Sequence, residues 1–312
     1  MTSPPSPRDW LQASPDRLRP TLEGCASGAL PPNVALLRLA IEASGPEEIG
    51  TALARAHEGA SLEPADRAAA ERLRDALDLW RRTPQAFSTV KAVIAGVEHQ
   101  GSAHDAERGL AYWAAAFDRM ANSAPEGGVA LYALGDPELL AAATAEVVGR
   151  LRDWELLGPD RRVLEIGCGI GRLVAALAPH VGHVTGLDIS PGMIAEARRR
   201  CAGLPNLSLE ATSGRDLSAT PDAGMDLILA ADVFPYLVQS GGGLAERHVE
   251  EAARVLAPGG HLAILNYSYR GDLARDSAEV AELAARSGFL VRRSAAGDFA
   301  LWDAATFLLR KP

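Results

Sequence analysis

The first third of the chain carries apolar residues at the spacing of a helix. In the segment 64–82 they fall on one helical face: Ala70, Leu73, Ala76, Leu77 and Trp80. The same spacing predicts further helices over 33–41, 46–57, 87–97 and 103–122, and no strand pattern competes with it. The sequence therefore predicts an all-helical N-terminal domain over residues 1–124. Its Pro- and Ser-rich start, residues 1–9, is expected to be disordered.

The pattern changes after residue 125. Asp136 and Pro137 begin a helix that is expected to reach about residue 155, with Asp136 as its N-cap. Short apolar strands then alternate with amphipathic helices, and strands are predicted at 162–166, 183–187, 207–210, 225–230, 261–266, 289–293 and 300–309. Such alternation predicts an α/β domain over residues 125–312. Its fold is Rossmann-like, with a mostly parallel seven-stranded sheet and an antiparallel edge strand.

Composition and charge narrow the classes of partner. The 312 residues include 31 basic and 40 acidic side chains, so the formal net charge is −9. An acidic chain repels phosphate backbones, which argues against a nucleic-acid partner. Apolar runs stay short of a membrane span, and the three cysteines form no CxxC pair. We therefore expect no membrane partner, no metal and no disulfide framework, and a cytoplasmic location.

Three glycines at alternate positions follow the first predicted strand. Gly167, Gly169 and Gly171 lead into a helix whose first N–H groups have no partner inside the helix. A dinucleotide fingerprint, G-x-G-x-x-G, would need glycine where this chain has Arg172, and no P-loop lysine follows. The loop therefore favours a nucleoside ligand that lacks a phosphate.

An acidic residue ends the second predicted strand. Asp188 lies 21 residues after Gly167, and a carboxylate at that place can accept both hydroxyls of a ribose. A glycine-rich turn alone, or a strand-end aspartate alone, is also common as a purely structural feature. Their combination at this spacing predicts a nucleoside pocket.

From about Tyr132 to Lys311 the sequence resembles the class I S-adenosylmethionine-dependent methyltransferases. The resemblance lies in the loop Glu165–Gly171, in Asp188, and in the Asp-x-Ser-x-x-Met stretch that ends at Met193. It extends to the apolar fourth strand before Asp232 and to the turn 254–260. The resemblance implies S-adenosylmethionine as cofactor and methyl transfer as activity.

The resemblance also implies which residues meet the cofactor. The three loop glycines would border its methionine part, Glu165 would orient its ammonium group, and Asp188 would hold the ribose. Many members carry Gly-Asp-Ala after the third strand, where this chain has residues 212–216, Thr-Ser-Gly-Arg-Asp, so the adenine contact in that stretch stays open. The remaining expected cofactor contacts are Ile189, Met193, Ser213, Gly214, Arg215 and Tyr132.

The acceptor is expected above the carboxyl ends of the fourth and fifth strands. The catalytic candidates there are Asp232, Tyr267 and Tyr269, and the substrate-binding candidates are Phe234, Tyr236 and Arg270. The two catalytic tyrosines share a face if the fifth strand continues that far, and Arg270 can pair with an acceptor carboxylate. Alternatively, the tyrosines pack under a loop and Arg270 pairs with Asp272. His248 is expected to be a surface or capping residue.

These features predict a methyltransferase that acts on a small-molecule acceptor by O-, N- or S-methylation, in specialised metabolism. Three alternatives stay open. One is an enzyme of the same fold that cyclises or transfers the aminocarboxypropyl arm of the cofactor. Another is a non-catalytic cofactor-binding module, and the third is an NAD-dependent dehydrogenase. The helical region would form a lid, build the acceptor pocket, form a homodimer, or serve only as a solubilising cap.

Overall fold

The computed structural model describes residues 9–12, 14–62, 64–96, 105–123 and 125–312. The predicted disordered start, residues 1–9, lies almost wholly outside these residues, whereas only residues 103 and 104 of the predicted helix 103–122 do. The chain forms two compact units, each made of several segments. The first unit comprises Met1–Val97, Ala130–Ala143 and Ala300–Asp303, and the second comprises Glu98–Val129, Thr144–Phe299 and Ala304–Pro312.

The first unit is helical, as the apolar spacing predicts. Its helices are α1 (Arg19–Ser27), α2 (Pro32–Glu42), α3 (Pro46–Ser61), α4 (Arg67–Arg82) and α5 (Ala86–Gly96). The predicted stripe on α4 is buried, except that Trp80 is only partly covered. Leucines of α1 to α4 form the centre of a single core whose side chains are fully buried: Leu22, Leu36, Leu53 and Leu73.

One buried amide joins the three sequence segments of this unit. The side chain of Asn33 on α2 donates hydrogen bonds to the backbone carbonyls of Tyr132 (2.9 Å) and Leu301 (2.8 Å). The ring of Tyr132 stacks on Trp302 with 5.2 Å between the ring centroids. Residues far apart in the sequence are therefore held together by α2.

The second unit is built around the predicted sheet. Its strands are β1 (Arg162–Ile166), β2 (His183–Asp188), β3 (Leu207–Ala211), β4 (Met225–Ala231), β5 (Leu256–Leu265), β6 (Leu290–Ala295) and β7 (Thr306–Arg310). The order in space is β3-β2-β1-β4-β5-β7-β6. The first five strands are parallel, and β7 pairs antiparallel with both β5 and the edge strand β6. The predicted fold class is confirmed.

The helices of this unit connect and cover the strands. They are α6 (Ala106–Ser123), α7 (Pro125–Val129), α9 (Arg172–Leu177), α10 (Pro191–Arg200), α11 (Phe234–Ser240), α12 (Leu244–Val255) and α13 (Leu273–Arg286). Helix α8 (Pro137–Asp153) begins in the first unit and ends in the second, and Asp136 caps it by accepting a hydrogen bond from the Leu139 N–H. Because β2 and β4 flank β1, the strand order reverses at β1. This is where a sheet of this type binds its ligand.

The structure differs from the predicted elements at several places, and two helices, α1 and the short α7, were not among those predicted. Helix α11 was not expected, because it has only seven residues and its apolar side chains resemble the end of β4. The predicted turn at 258–260 is a bulge inside β5, where the pairing with β4 shifts between Met225 and Leu227. The last strand begins at Thr306 rather than at Ala300, since residues 300–303 belong to the first unit.

Helix α6 also departs from the expected division at residue 124, because it groups with the sheet. A Cβ on Gly109 would lie 2.5 Å from the side chain of Ser240, so α6 and α11 approach closely there. None of the helices in the described residues combines the length and the apolar character needed to cross a membrane.

The role of Asn33 generates a prediction about stability. Asn33→Ala leaves two buried carbonyl groups without their donor, so the first unit should lose about 1–3 kcal/mol. Hydrogen exchange followed by mass spectrometry should show faster exchange in peptides that cover 130–143. The matched control is Arg38→Ala. It removes an exposed ion pair between α2 and Asp303, which lies in the same segment as Leu301, and should lower the stability of the unit by at most about 1 kcal/mol. Equal exchange in both variants would contradict the prediction.

Candidate active site

The glycine loop lies directly after β1, at the point where the strand order reverses. All three glycines have positive φ, +67° at Gly167, +51° at Gly169 and +78° at Gly171, which is a conformation that other residues rarely adopt. The loop is also closely covered. A Cβ on Gly167 would lie 2.2 Å from Cγ2 of Val233, and one on Gly169 would lie 2.5 Å from Cγ1 of Val129. Both conformation and space therefore require glycine here.

Glu165 is a buried carboxyl group at the end of β1. Its Oε2 has no hydrogen-bond partner, and its side chain is 2% exposed. Burial raises the pKa of Glu165 to about 8. The nearby charge of Arg172 opposes the shift, and that of Asp188 adds to it. A buried polar atom without a partner is costly, so Glu165 is suited to receive a cationic group.

Asp188 ends β2 and holds two parts of the site. One carboxylate oxygen accepts the Gly169 N–H (2.8 Å), and the other accepts the Ser190 N–H (2.9 Å). Burial nevertheless raises the pKa of Asp188 above its usual value, against these hydrogen bonds. Each carboxylate oxygen can accept more than one hydrogen bond, so Asp188 retains capacity for two ribose hydroxyls.

The start of α10 is fixed by a residue that the sequence did not single out. Asp118 on α6 accepts hydrogen bonds from the Gly192 N–H (2.9 Å) and from the Ser190 hydroxyl. Ser190 in turn accepts the Met193 N–H at 3.0 Å, as an N-cap does. No local signal could have identified Asp118, because its partners are more than 70 positions away.

The expected adenine contacts differ in burial: some are buried or partly buried, and others are exposed. Ile189 is partly buried and lies against Gly214, where a Cβ would come within 2.5 Å of its Cγ2. Met193 is fully buried, and its Cε lies 3.3 Å from the Cβ position of Gly128. Ser213 and Arg215 are exposed, and Arg215 pairs with Glu107 of α6 at 2.5 Å. The expected role of Tyr132, which belongs to the first unit, stays a prediction.

Two non-glycine residues with left-handed backbone lie at the carboxyl ends of adjacent strands. Asp232 after β4 has φ +61°, and Asn266 after β5 has φ +67°. The Asn266 amide donates to Oδ1 of Asp232 at 3.0 Å, and its own oxygen accepts the Ala305 N–H at 3.1 Å. Such conformations are sparsely populated and concentrate at functional sites. The carboxylate of Asp232 is therefore held in a fixed orientation at the expected acceptor side.

Four aromatic residues, which we call the aromatic cluster, surround the start of α11. Trp113 and Phe117 of α6 lie 4.5 Å and 5.3 Å from Tyr236, and Tyr269 lies 5.8 Å from it, measured between ring centroids. The Tyr269 hydroxyl donates to the Tyr236 hydroxyl at 3.3 Å. The sequence pointed to both tyrosines. It missed Trp113 and Phe117, whose helical spacing indicated only a packing face.

The structure separates Tyr267 from Tyr269. The backbone turns at Asn266, so β5 ends at Leu265 and the two tyrosines do not continue a strand face. Tyr267 is 3% exposed and packs on Phe234 with 5.9 Å between ring centroids, whereas Tyr269 is 50% exposed. Tyr267 and Phe234 thus lie in the hydrophobic core, and the condition for a shared tyrosine face, a fifth strand that continues to Tyr269, is not met.

Arg270 is held by acidic residues of α13. Its guanidinium contacts Asp276 and Glu279, each at 2.6 Å, rather than Asp272, which caps α13 by accepting the Arg275 N–H. Two carboxylates thus already surround the side chain that was expected to bind an acceptor carboxylate.

Two further expectations concern His248 and the possibility of a metal. His248 is 2% exposed and hydrogen-bonds to the carbonyl of Leu244, and burial lowers its pKa. It is a core residue rather than a surface one, because α12 turns that face toward the sheet. Among the described residues, no group of three His, Cys, Asp or Glu side chains is arranged to hold a metal ion.

Residues 163–260 match the family described as Methyltransferase domain. These residues include the glycine loop, Glu165, Asp188 and Asp232. The segment 163–260 is thus a methyltransferase domain similar to those of the class I S-adenosylmethionine-dependent enzymes. The cofactor of that family is S-adenosylmethionine, and the site fits it, because the unpartnered Oε2 of the buried Glu165 suits an ammonium group.

The chain is similar to curated proteins over part of its length. It is 36% identical to Nodulation protein S of Rhizobium tropici over 107 residues, which are 34% of this chain and 42% of that protein. It is 37% identical to demethylmenaquinone methyltransferase of Tropheryma whipplei (strain Twist), again over 107 residues, with the same coverage of 34% and 42%. The chain thus spans about two fifths of the length of these relatives.

The fold likeness extends further along the chain. The solved structure of phosphoethanolamine N-methyltransferase 1 of Haemonchus contortus, in complex with phosphoethanolamine and S-adenosylhomocysteine, superposes with a TM-score of 0.52 at 16% identity. The superposition covers 66% of this chain and 48% of that one. At this identity the likeness concerns the fold alone.

The protein should release a proton when it binds S-adenosylhomocysteine at pH 7. Because burial raises the pKa of Glu165 to about 8, the free protein holds this carboxyl mostly protonated at pH 7. An ammonium beside Oε2 favours the ionised form and lowers that pKa. Calorimetric titrations in two buffers of different ionisation enthalpy measure the release, which should be about one proton at most and should decline above pH 8.

The control for this prediction is Glu165→Gln, which keeps the size of the side chain but cannot ionise. It should bind S-adenosylhomocysteine more weakly and release no proton from this position. If the wild type and the variant release the same number of protons, the proton does not come from Glu165.

Proposed function

We propose that this chain transfers a methyl group from S-adenosylmethionine to a small-molecule acceptor. The observation that carries the proposal is the pair of buried carboxyl groups, Glu165 and Asp188, on either side of a three-glycine loop at the switch point of the sheet. The first suits the ammonium group of an amino acid, and the second suits the hydroxyls of a ribose. One ligand that carries both groups is a nucleoside joined to an amino acid.

Different residues of the chain then bind different parts of the cofactor. Glu165 and the loop glycines hold the methionine part, Asp188 holds the ribose, and Ile189 with Gly214 forms the adenine wall. When bound, the cofactor supplies a methyl group on a positively charged sulfur, which is an electrophile toward an acceptor heteroatom. The protein contributes positioning and the exclusion of water, which are the main sources of rate in such a displacement.

A small-molecule acceptor is supported by the composition of the acceptor side. The aromatic cluster and Asp232 offer ring surface and one oriented carboxylate, which suits a compact organic molecule. The net charge of −9 disfavours a nucleic-acid acceptor. The Tropheryma relative, demethylmenaquinone methyltransferase, is by its name also an enzyme that acts on a small molecule.

The geometry disfavours a dinucleotide. Arg172 occupies the position of the third fingerprint glycine, is partly buried, and donates a hydrogen bond to the Thr144 hydroxyl at 3.1 Å. Its side chain therefore fills space that a pyrophosphate-binding helix start would keep open.

Ligand binding tests the assignment of Asp188. S-adenosylhomocysteine should raise the melting temperature of the wild type, and NAD should not. Asp188→Ala should weaken S-adenosylhomocysteine binding at least tenfold in calorimetry, because the charge-assisted hydrogen bonds to the ribose are lost. The control is Asp222→Ala, an exposed carboxylate paired with Arg254 on the surface of the same unit. Unchanged affinity in Asp188→Ala, or stabilisation by NAD instead, would show that the pocket is misassigned.

Product analysis tests the reaction. Incubation with S-adenosylmethionine and an extract of small molecules should yield S-adenosylhomocysteine, and the acceptor should gain the mass of one methylene group. Methylthioadenosine as the product would indicate use of the aminocarboxypropyl arm. Tight cofactor binding without turnover across such extracts would indicate a binding module.

A further inference from the structure

A carboxylate from outside the sheet holds the start of α10. Oδ1 of Asp118, on α6, accepts the Gly192 N–H at 2.9 Å and also accepts the Ser190 hydroxyl. The two helices approach closely at this point, because a Cβ on Gly192 would lie 3.0 Å from the same oxygen. One oxygen of α6 therefore satisfies two donors of the segment that follows β2.

Ser190 links this carboxylate to Asp188. The Ser190 N–H donates to Oδ1 of Asp188 at 2.9 Å, while its hydroxyl donates to Asp118 and accepts the Met193 N–H at 3.0 Å. Ser190 is fully buried, so the loss of one partner would leave a buried polar group unsatisfied. The orientation of the Asp188 carboxylate thus depends on Ser190, and the position of Ser190 depends on Asp118.

Asp118 also acts on Asp188 through its charge. Burial raises the pKa of Asp188, the backbone N–H groups that donate to it lower this pKa, and the negative charge of Asp118 raises it. An ionised carboxylate only accepts hydrogen bonds, whereas a protonated one carries a donor in place of part of that capacity. Asp188 is therefore the better acceptor of ribose hydroxyls when it is ionised, and Asp118 influences the pH at which that form is reached.

The other ionisable groups near Asp188 come from β1 and the glycine loop. Burial raises the pKa of Glu165 to about 8 and that of Cys168 well above its usual value, so both are largely uncharged below pH 7. From β3, the residue that pairs with Asp188 is the uncharged Ala211. Asp118 is thus a source of negative charge on Asp188 that persists below pH 7.

We propose that Asp118 is a positioning residue for cofactor binding, which orients the ribose-binding carboxylate of Asp188 through Ser190 and influences its ionisation through charge. This inference rests on the proposed function, because the ribose is that of S-adenosylmethionine. Asp118 belongs to α6, outside the matched segment 163–260.

Two ligands that differ only in the ribose test the inference. S-adenosylhomocysteine and its 2′,3′-dideoxyribose analogue are titrated into the full chain by calorimetry. Both carry the ammonium group, so the contribution of Glu165 cancels in the ratio of their affinities. The wild type should prefer the ligand with hydroxyls at least about tenfold at pH 8, because only that ligand makes the charge-assisted bonds to Asp188.

Asp118→Ala removes both hydrogen bonds to the start of α10. It should lower the preference at pH 8 at least about fivefold and change the affinity of the dideoxy analogue less than about twofold, because only the hydroxyls meet the misplaced carboxylate. The matched control is Asp153→Asn, an exposed carboxylate on α8, which should leave both affinities unchanged.

Asp118→Asn separates geometry from charge. Both hydrogen bonds end on Oδ1, and an amide oxygen can accept two, so the preference at pH 8 should stay within about twofold of the wild type. In the wild type the preference should be present above the pKa of Asp188 and disappear as the pH falls through it. In Asp118→Asn this loss should move to lower pH by about half a unit, because the like charge is gone.

A double-mutant cycle tests whether Asp118 acts through Ser190. Ser190→Ala should lower the preference in the same direction as Asp118→Ala. The double variant should lose clearly less than the product of the two single losses, because both substitutions break the same link.

The outcomes separate this inference from the proposed function. An equal loss of both ligands in Asp118→Ala would make Asp118 a merely structural residue and overturn the inference. Identical pH profiles for the wild type and Asp118→Asn would overturn its electrostatic part, and independent losses in the cycle would overturn the route through Ser190. A wild type that binds S-adenosylhomocysteine without preferring it to the analogue refutes the ribose contact of Asp188 and the inference with it. If the wild type does not bind S-adenosylhomocysteine at all, the proposed function itself fails.

Discussion

The burial of two neighbouring carboxyl groups at the carboxyl edge of the sheet is the constraint on which the rest of the site depends. Removing a carboxylate from water is costly unless hydrogen bonds replace the lost hydration. Asp188 obtains two from the backbone, and these bonds tie the glycine loop to the start of α10. Glu165 keeps an oxygen without a partner. The free protein therefore holds one satisfied and one unsatisfied acid, and a cationic ligand relieves the second.

Helix α6 links this cofactor side to the acceptor side. Through Asp118 it fixes the N-terminus of α10, close to Asp188. Through Trp113 and Phe117 it supplies half of the aromatic cluster around Tyr236. A single helix therefore carries contacts to both sides of the site, and it lies outside the matched segment 163–260.

The sequence could predict the sheet and the cofactor side because their signals are local. The spacing of three glycines, an acid at a strand end and alternating strands and helices all lie within short windows. The acceptor side depends on contacts between residues far apart in the sequence and on the backbone conformation of single residues. Trp113 and Tyr236 are 123 positions apart, and the helical context of Trp113 suggested only packing. The conformation of Asn266 decides that Tyr267 is buried and Tyr269 is exposed, and no residue pattern encodes that φ. Arg270 was expected to bind an acceptor because its actual partners on α13, Asp276 and Glu279, were not recognised from the sequence.

The acidic character of the site has a consequence for the chemistry it can hold. Glu165, Asp188 and Asp232 lie at the ends of three adjacent strands, β1, β2 and β4. Burial raises the pKa of Glu165 and of Asp188, and a positive charge nearby would lower both pKa values again. Two unit charges of opposite sign 4 Å apart attract by about 4 kcal/mol at an effective dielectric constant of about 20. This edge of the sheet is therefore built to favour a cationic ligand over an anionic one.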